Sequence, residues 1–276
     1  MTDPNRDISA TLARIADALD RLAPAPVPPA DPARGSAFVW SGTALRGVAA
    51  PKAQPLDRLL GIDSQKAAVL TNSERHARGL PAHDILLWGS RGMGKSALVK
   101  AVHRELPDLG LVEIARDDVA TLPSLFRLLG AVDRRFILFI DDLSFEADET
   151  EYKALRSVLE GGVEARPDNV RLYVTSNRRH LIPRDVAENE AATAINPRDV
   201  IDDRLALSDR FGLSLGFHAC DQPTYLAIVE GYATAFGLPF DAGDALAWQV
   251  GRGSRSGRVA WQYVQELAGR EGKALP

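Results

Sequence analysis

Residues Gly89-Ser90-Arg91-Gly92-Met93-Gly94-Lys95-Ser96 stand between an apolar run, Asp84–Gly89 (DILLWG), and the helix-forming Ala97-Leu98-Val99. The eight residues fit G-x-x-x-x-G-K-[ST] in full, and the flanking pattern is strand before, helix after. Glycines let such a loop curl until successive backbone N–H groups point inward at phosphate oxygens. Lys95 supplies a flexible positive charge to the β- and γ-phosphates, and the Ser96 hydroxyl suits Mg²⁺. The helix starting at Lys95 adds the positive end of its dipole. A strand–loop–helix unit of this kind needs a parallel sheet to sit in, so the motif constrains the fold as well as the ligand.

The rest of the chain meets that requirement. Asp84–Gly89, Leu111–Ala115, Phe136–Ile140, Arg171–Ser176 and Leu213–His218 read as strands, most of them apolar throughout, as expected where helices cover both faces. Helical patterns separate them, which implies right-handed crossovers and a mostly parallel five-stranded sheet. After Asp221 the pattern is helical to Leu275, marking a small α-helical second domain. At the other end, Ile8, Leu12, Ile15, Leu19 and Leu22 form an amphipathic stripe, followed by five prolines within Ala23–Gly35. That helix either docks on its own domain or serves as a handle for self-association or a partner. The expected division is 1–36 helix and linker, 37–219 nucleotide-binding domain, and 220–276 lid.

Composition narrows the function classes. A net charge of −4 offers no global attraction to nucleic acid, so such binding would need a local basic patch. One cysteine, Cys220, excludes an intramolecular disulfide and fits a reducing, cytoplasmic setting. No secretory leader is visible, and no apolar run approaches the roughly 20 residues of a membrane span. The five histidines show no metal-ligand spacing.

Two further strand ends carry acids or amides. Phe136–Ile140 runs into Asp141 and Asp142, where Asp141 can hold the metal shell and Asp142 can polarise a water. Asp is one methylene shorter than the Glu often found at the second position, which leaves Glu146 as a substitute base. Val170–Ser176 runs into Asn177, with Thr175 behind it; by itself Asn177 reads as a plain turn residue.

At this point the sequence resembles AAA+ ATPases. The resemblance implies that Asn177, with Thr175 behind it, is the polar residue that orients the water. Leu59-Leu60-Gly61-Ile62 lies where those proteins pack backbone against adenine, which adds Ile62 to the candidate nucleotide contacts Gly89, Ser90, Arg91, Gly92, Met93, Gly94, Lys95, Ser96 and Ala97. Asp203-Arg204-Leu-Ala-Leu-Ser208-Asp209-Arg210-Phe211 is similar to the arginine-finger box of bacterial replication initiators. The match points to Arg210, with Arg204 auxiliary. Arg258, or else Arg255, falls where AAA+ lids carry a second sensor arginine. The phrases LLWGSRGMGKSALVKA, FILFIDDLSFE, TSNRRHLIPR and LALSDRFGL, spread over Phe38–Leu267, resemble a bacterial AAA+ group defined as a domain of unknown function. The resemblance implies a three-layer α/β sandwich with a helical lid, Mg²⁺ and ATP as ligands, and a homo-oligomer that shares active sites through Arg210. It also implies an ATPase acting on a protein or nucleoprotein client. The alternative is a slow-turnover, ATP-switched loader with a nucleic-acid-associated partner. In it the arginines at 178, 179 and 184 either form a solvated loop, the reading favoured by the absence of interleaved aromatics, or meet nucleic acid. A small-molecule kinase would carry an acceptor pocket and lid arginines inside the α/β domain, which this pattern lacks.

Overall fold

The computed structural model describes residues 29–49, 51–143, 166–177 and 209–275, with isolated positions 8, 12, 14, 15, 156 and 159. The five expected strands are all present: β3 Ile85–Gly89, β4 Gly110–Ile114, β5 Phe136–Ile140, β6 Val170–Ser176 and β7 Leu213–Phe217. They lie in the order β4-β5-β6-β3-β7, all parallel. The sheet has seven strands rather than five, because a hairpin of β1 (Ala37–Trp40) and β2 (Leu45–Val48) extends it beyond β4. Each of these two strands is only four residues long; β1 (AFVW) is apolar but short, and β2 (LRGV) is half exposed and interrupted by Arg46 and Gly47.

The apolar runs exist because each strand feeds two cores. In β5, Phe136, Leu138 and Ile140 join one buried cluster, while Ile137 and Phe139 join the other. Helix α1 (Asp63–Ala77) and helix α2 (Lys95–Glu105) cover the second face through Val69, Leu98, Val99 and Val102. Helix α3 (Leu122–Gly130) covers the first through Leu122, Leu125, Phe126 and Leu129. The result is a three-layer sandwich.

Helices α4 (Gln222–Ala235), α5 (Ala242–Arg252) and α6 (Gly257–Arg270) follow, packed around a third cluster centred on Tyr225, Val229, Tyr263 and Val264. Each starts on a side-chain cap: Asp221 accepts from the amide of Thr224, Asp241 from that of Asp244, and Ser256 from that of Val259.

Part of the expected linker lies on the body. The amide of Ala30 donates to Leu45 O at 2.7 Å, and Arg134 donates to the carbonyls of Pro32 and Gly35. Of the N-terminal stripe, Ile8, Leu12 and Ile15 are described; they are helical and at least half exposed. Leu19 and Leu22 lie outside the described residues.

One buried group makes this packing sensitive to acid. His76 of α1 has no exposed surface, and its Nε2 lies 3.0 Å from Phe136 O, whereas Nδ1 has no partner. Burial first, and then Arg171 and Arg135, lower its pKa to about 4 against the backbone hydrogen bonds that raise it. The unfolded chain therefore takes up a proton near pH 6.5 that the folded chain refuses until about pH 4. Stability is complete above about pH 6.5 and declines as pH falls toward 4, by on the order of 3 kcal/mol. Urea midpoints between pH 7 and 4 are expected to fall in the wild type and to fall less steeply in His76→Gln; parallel slopes would exclude His76 as the source.

Candidate nucleotide-binding site

The parallel register brings the carboxyl ends of β3, β5 and β6 to one edge, with β5 stopping two positions short of β6. Trp88 pairs with Ser176, and Ile140 pairs with Val174, so Gly89, Asp141 and Asn177 emerge at one edge of the sheet. A topological edge of this kind, outside the carboxyl ends of parallel strands, is where open α/β sheets bind ligands.

The loop is shaped by close backbone approach. Gly89 has φ +118, and a Cβ there would stand 2.1 Å from Phe217 O of β7. That carbonyl instead accepts from the amide of Ser90 at 2.7 Å. Gly92, at φ +75, presses against the start of α6: its carbonyl accepts from the amide of Arg258 at 3.0 Å, and a Cβ would meet Ser256 Oγ at 2.9 Å.

Inside this loop Lys95 is 7% exposed. Its Nζ donates to Gly89 O at 2.7 Å, Ser90 O at 2.9 Å and Asn177 Oδ1 at 3.2 Å. Burial pushes its pKa down, Asp142 and Asp141 push it back up, and Arg91 and Arg258 lower it again. Phosphate oxygens are the acceptors that would match an ammonium already stripped of water.

Beside it, Ser96 Oγ donates to Asp141 Oδ1 at 2.5 Å, and Thr175 Oγ1 donates to the same oxygen at 2.6 Å. Thr175 Oγ1 in turn accepts from the amide of Asp142 at 2.8 Å. Asp142 has φ +54, an uncommon conformation for a residue other than glycine, and its Oδ1 accepts from Asn177 Nδ2. Ser96, Asp141 and Thr175 thus offer hard oxygen donors on one spot, which fits Mg²⁺ completed by phosphate and water. No group of three or more His, Cys, Asp or Glu suited to a metal exists among the described residues, which agrees with so small a protein share of the shell.

These side chains line a cavity of about 530 Å³. Arg91, Gly92, Met93, Gly94, Lys95, Ser96, Ala97, Asp141, Asp142, Thr175, Asn177 and Arg258 surround its polar part, and Ile62 lines it too. Gly89 and Ser90 contribute through the carbonyls that hold Lys95. Arg255 is not among the lining residues, and its Nε donates to Gln249.

Arg210 lies elsewhere. It precedes β7, exposed, at the opposite end of the sheet from the loop, with the whole of Leu213–Phe217 between them, roughly 13 Å of strand. Glu146, Arg178, Arg179, Arg184 and Arg204 lie outside the described residues. Gln54, Ile228, Tyr232, Gly257 and Trp261 line the cavity without having been visible as candidates. They share no local motif, and only the tertiary fold collects them.

Strand order, glycine loop and paired acids together define a P-loop α/β fold of the AAA+ type. The structure is similar to Thermotoga maritima RuvB, described as a Holliday junction branch migration motor, with TM-score 0.51 and 18% identity over 81% of this chain and 67% of that one. An arginine-to-alanine variant of the same RuvB gives TM-score 0.52 and 19% identity over 79% and 66%, and a proline-to-glycine variant 0.52 and 18% over 81% and 69%. The chain therefore spans about two thirds of the length of those proteins. More specifically, the chain belongs to the family described as Protein of unknown function (DUF815), whose model matches residues 33–271. No curated relative matches the sequence.

Thr175 carries the strand-to-strand geometry of the acids, so Thr175→Val should leave the amide of Asp142 without its acceptor. The expected loss is about 1–3 kcal/mol in urea unfolding at unchanged m-value, largely restored in Thr175→Ser. A valine variant as stable as the wild type would show that water replaces the hydroxyl.

Proposed function

We propose that the protein is a Mg²⁺-dependent AAA+ ATPase that couples ATP hydrolysis to a conformational change in a protein or nucleoprotein client. The observation that carries this is the convergence of Lys95, Ser96, Asp141, Asp142 and Asn177 on one cavity at the carboxyl edge of the sheet. In this proposal residues 37–219 bind nucleotide, residues 220–276 act as the lid, and the part of residues 1–36 that precedes the docked segment from Ala30 onward is a tether.

The loop amides and Lys95 hold the β- and γ-phosphates, with Lys95 exchanging the carbonyls of Gly89 and Ser90 for phosphate oxygens. Ser96 and Asp141 hold Mg²⁺, which when bound neutralises charge on the phosphate oxygens. Asn177 orients a water, and Asp142 accepts its proton as the water oxygen attacks the γ-phosphorus and the bond to the β-phosphate oxygen breaks. ADP and inorganic phosphate result. Arg91 and Arg258 line the same cavity and offset the charge spread over the γ-phosphoryl group. Arg210, at the far end of the sheet from its own loop, is suited to reach the γ-phosphate of a neighbouring copy, so the assembly is a homo-oligomer in the cytoplasm.

One contact favours a second reading. Asn177 Nδ2 donates to Asp142, so the proposed base is engaged rather than open to water, as suits a slow-turnover loader or tethering module switched by ATP.

ATP turnover per subunit against protein concentration, with Arg210→Ala doped into wild type, separates the two. A motor with shared sites is expected to gain specific activity on concentration and to be poisoned by the variant. Flat or absent turnover with intact ATP binding favours the switch. Lys95→Ala is expected to abolish ATP binding, and tight ATP binding by that variant would falsify the loop assignment.

A further inference from the structure

The cavity has a second, apolar part that phosphates do not need. Leu59, Ile62, Ile228, Tyr232 and Trp261 line it, a set suited to the flat faces of a base. Tyr232 and Trp261 meet edge to face, with ring centroids 5.2 Å apart, which fixes that wall. Among these residues stands one carboxamide, Gln54. Its Oε1 accepts from the Tyr232 hydroxyl at 3.1 Å, across 178 positions of sequence. The backbone around it is held on both sides: Ala53 O accepts from Arg104 Nη1 at 3.0 Å, and Pro55 follows with φ −56.

We propose that the Gln54 carboxamide, held by the Tyr232 hydroxyl, reads the nucleobase and selects adenine over guanine. This rests on the nucleotide-binding role proposed above and names the group that gives the site its base preference. A carboxamide presents an acceptor beside a donor. Adenine presents the complement, its N6 amino group beside a ring nitrogen acceptor, and such a bidentate match is how Asn and Gln read adenine elsewhere. One lone pair of Oε1 is taken by Tyr232, which leaves the second for N6–H while Nε2 donates to the ring nitrogen. Guanine offers two acceptors, O6 and N7, on the corresponding edge, so O6 would face Oε1. Guanine's other edge, O6 beside N1–H, also matches a carboxamide but adds a 2-amino donor, for which Leu59, Ile62 and Ile228 in the same part of the cavity provide no acceptor side chain.

Equilibrium binding of Mg-ATP and Mg-GTP to the full chain, the Gln54→Leu, Gln54→Glu and Tyr232→Phe variants, and Lys95→Ala tests this. Wild type is expected to favour ATP. Gln54→Leu should lose about tenfold of that preference, a typical worth of one bidentate base contact. Gln54→Glu, whose ionised side chain can accept from both the N1–H and the 2-amino group of guanine but meets a ring-nitrogen acceptor on adenine, should shift the ratio further toward GTP. Tyr232→Phe keeps the ring and frees the amide, so its preference should fall less than that of Gln54→Leu. Unchanged ratios in both Gln54 variants, equal weakening of both nucleotides, or no preference in wild type would each overturn the assignment while leaving the phosphate site intact. Wild type that binds neither nucleotide, indistinguishable from Lys95→Ala, would instead remove the nucleotide-binding role itself.

Discussion

A side chain cannot be placed on residue 89. Phe217 O sits where its Cβ would be, 2.1 Å away, and the same carbonyl holds the amide of Ser90. This approach lets β3 stay paired with β7 to its last residue and still release the chain sharply into a loop. Because β3 and β6 end at the same level and β5 stops two positions earlier, the loop is released beside Asn177, with Asp141 held next to Thr175. Everything polar in the cavity depends on that coincidence of strand ends. A hydrophobic sheet buried on both faces enforces it, since slipping one strand by a residue would exchange the two faces of its side chains.

The cost of the arrangement is electrostatic. Lys95 as a residue is only 7% exposed, and a buried charge without partners is expensive. Lys95 offsets this with two loop carbonyls and Asn177. From there hydrogen bonds run through Asp142, Thr175 and Asp141 back to Ser96, the residue next to Lys95. The chain of contacts closes on itself. Each member fixes the rotamer of the next, so the site is preorganised by its own polar network rather than by apolar packing alone. The left-handed backbone of Asp142 belongs to the same circuit, since its amide and its carboxylate are both engaged.

Sequence made the phosphate half of this site legible because its residues are contiguous or end apolar runs, and runs buried on both faces stand out. The hairpin of β1 and β2 was not legible: Arg46 and Gly47 interrupt β2, and four residues give no pattern to detect. The apolar wall of the cavity was harder still. Gln54 precedes a proline in irregular chain, Ile228 and Tyr232 are two positions on one helix, and Trp261 belongs to another. Helical apolar positions announce a core, and nothing local distinguishes one that faces a cavity. Arg210 was singled out only through resemblance, because no local pattern marks an exposed arginine ahead of β7 at the end of the sheet opposite the loop.

The same segment that shapes the apolar wall also ties the sheet to the C-terminal helices. Leu59 and Ile62 pack in the core beneath the sheet, while Leu60, between them, points into the helical cluster. There it lies so close to α4 that a Cβ on Gly231 would come within 2.3 Å of Leu60 Cδ1, and one on Gly61 within 2.7 Å of Thr224 Cγ2. The second tie is Gly92 O accepting from the amide of Arg258. One contact flanks the apolar part of the cavity and the other flanks the phosphate loop. A ligand that spans both parts must engage both ties at once, so its free energy of binding acts on the position of the helices relative to the sheet. A ligand confined to the loop would act on the Arg258 tie alone. The cavity is lined from both sides of this junction, by Leu59, Leu60 and Gly92 and by Ile228, Tyr232 and Arg258, so a ligand filling it would contact the sheet side and the helical side together.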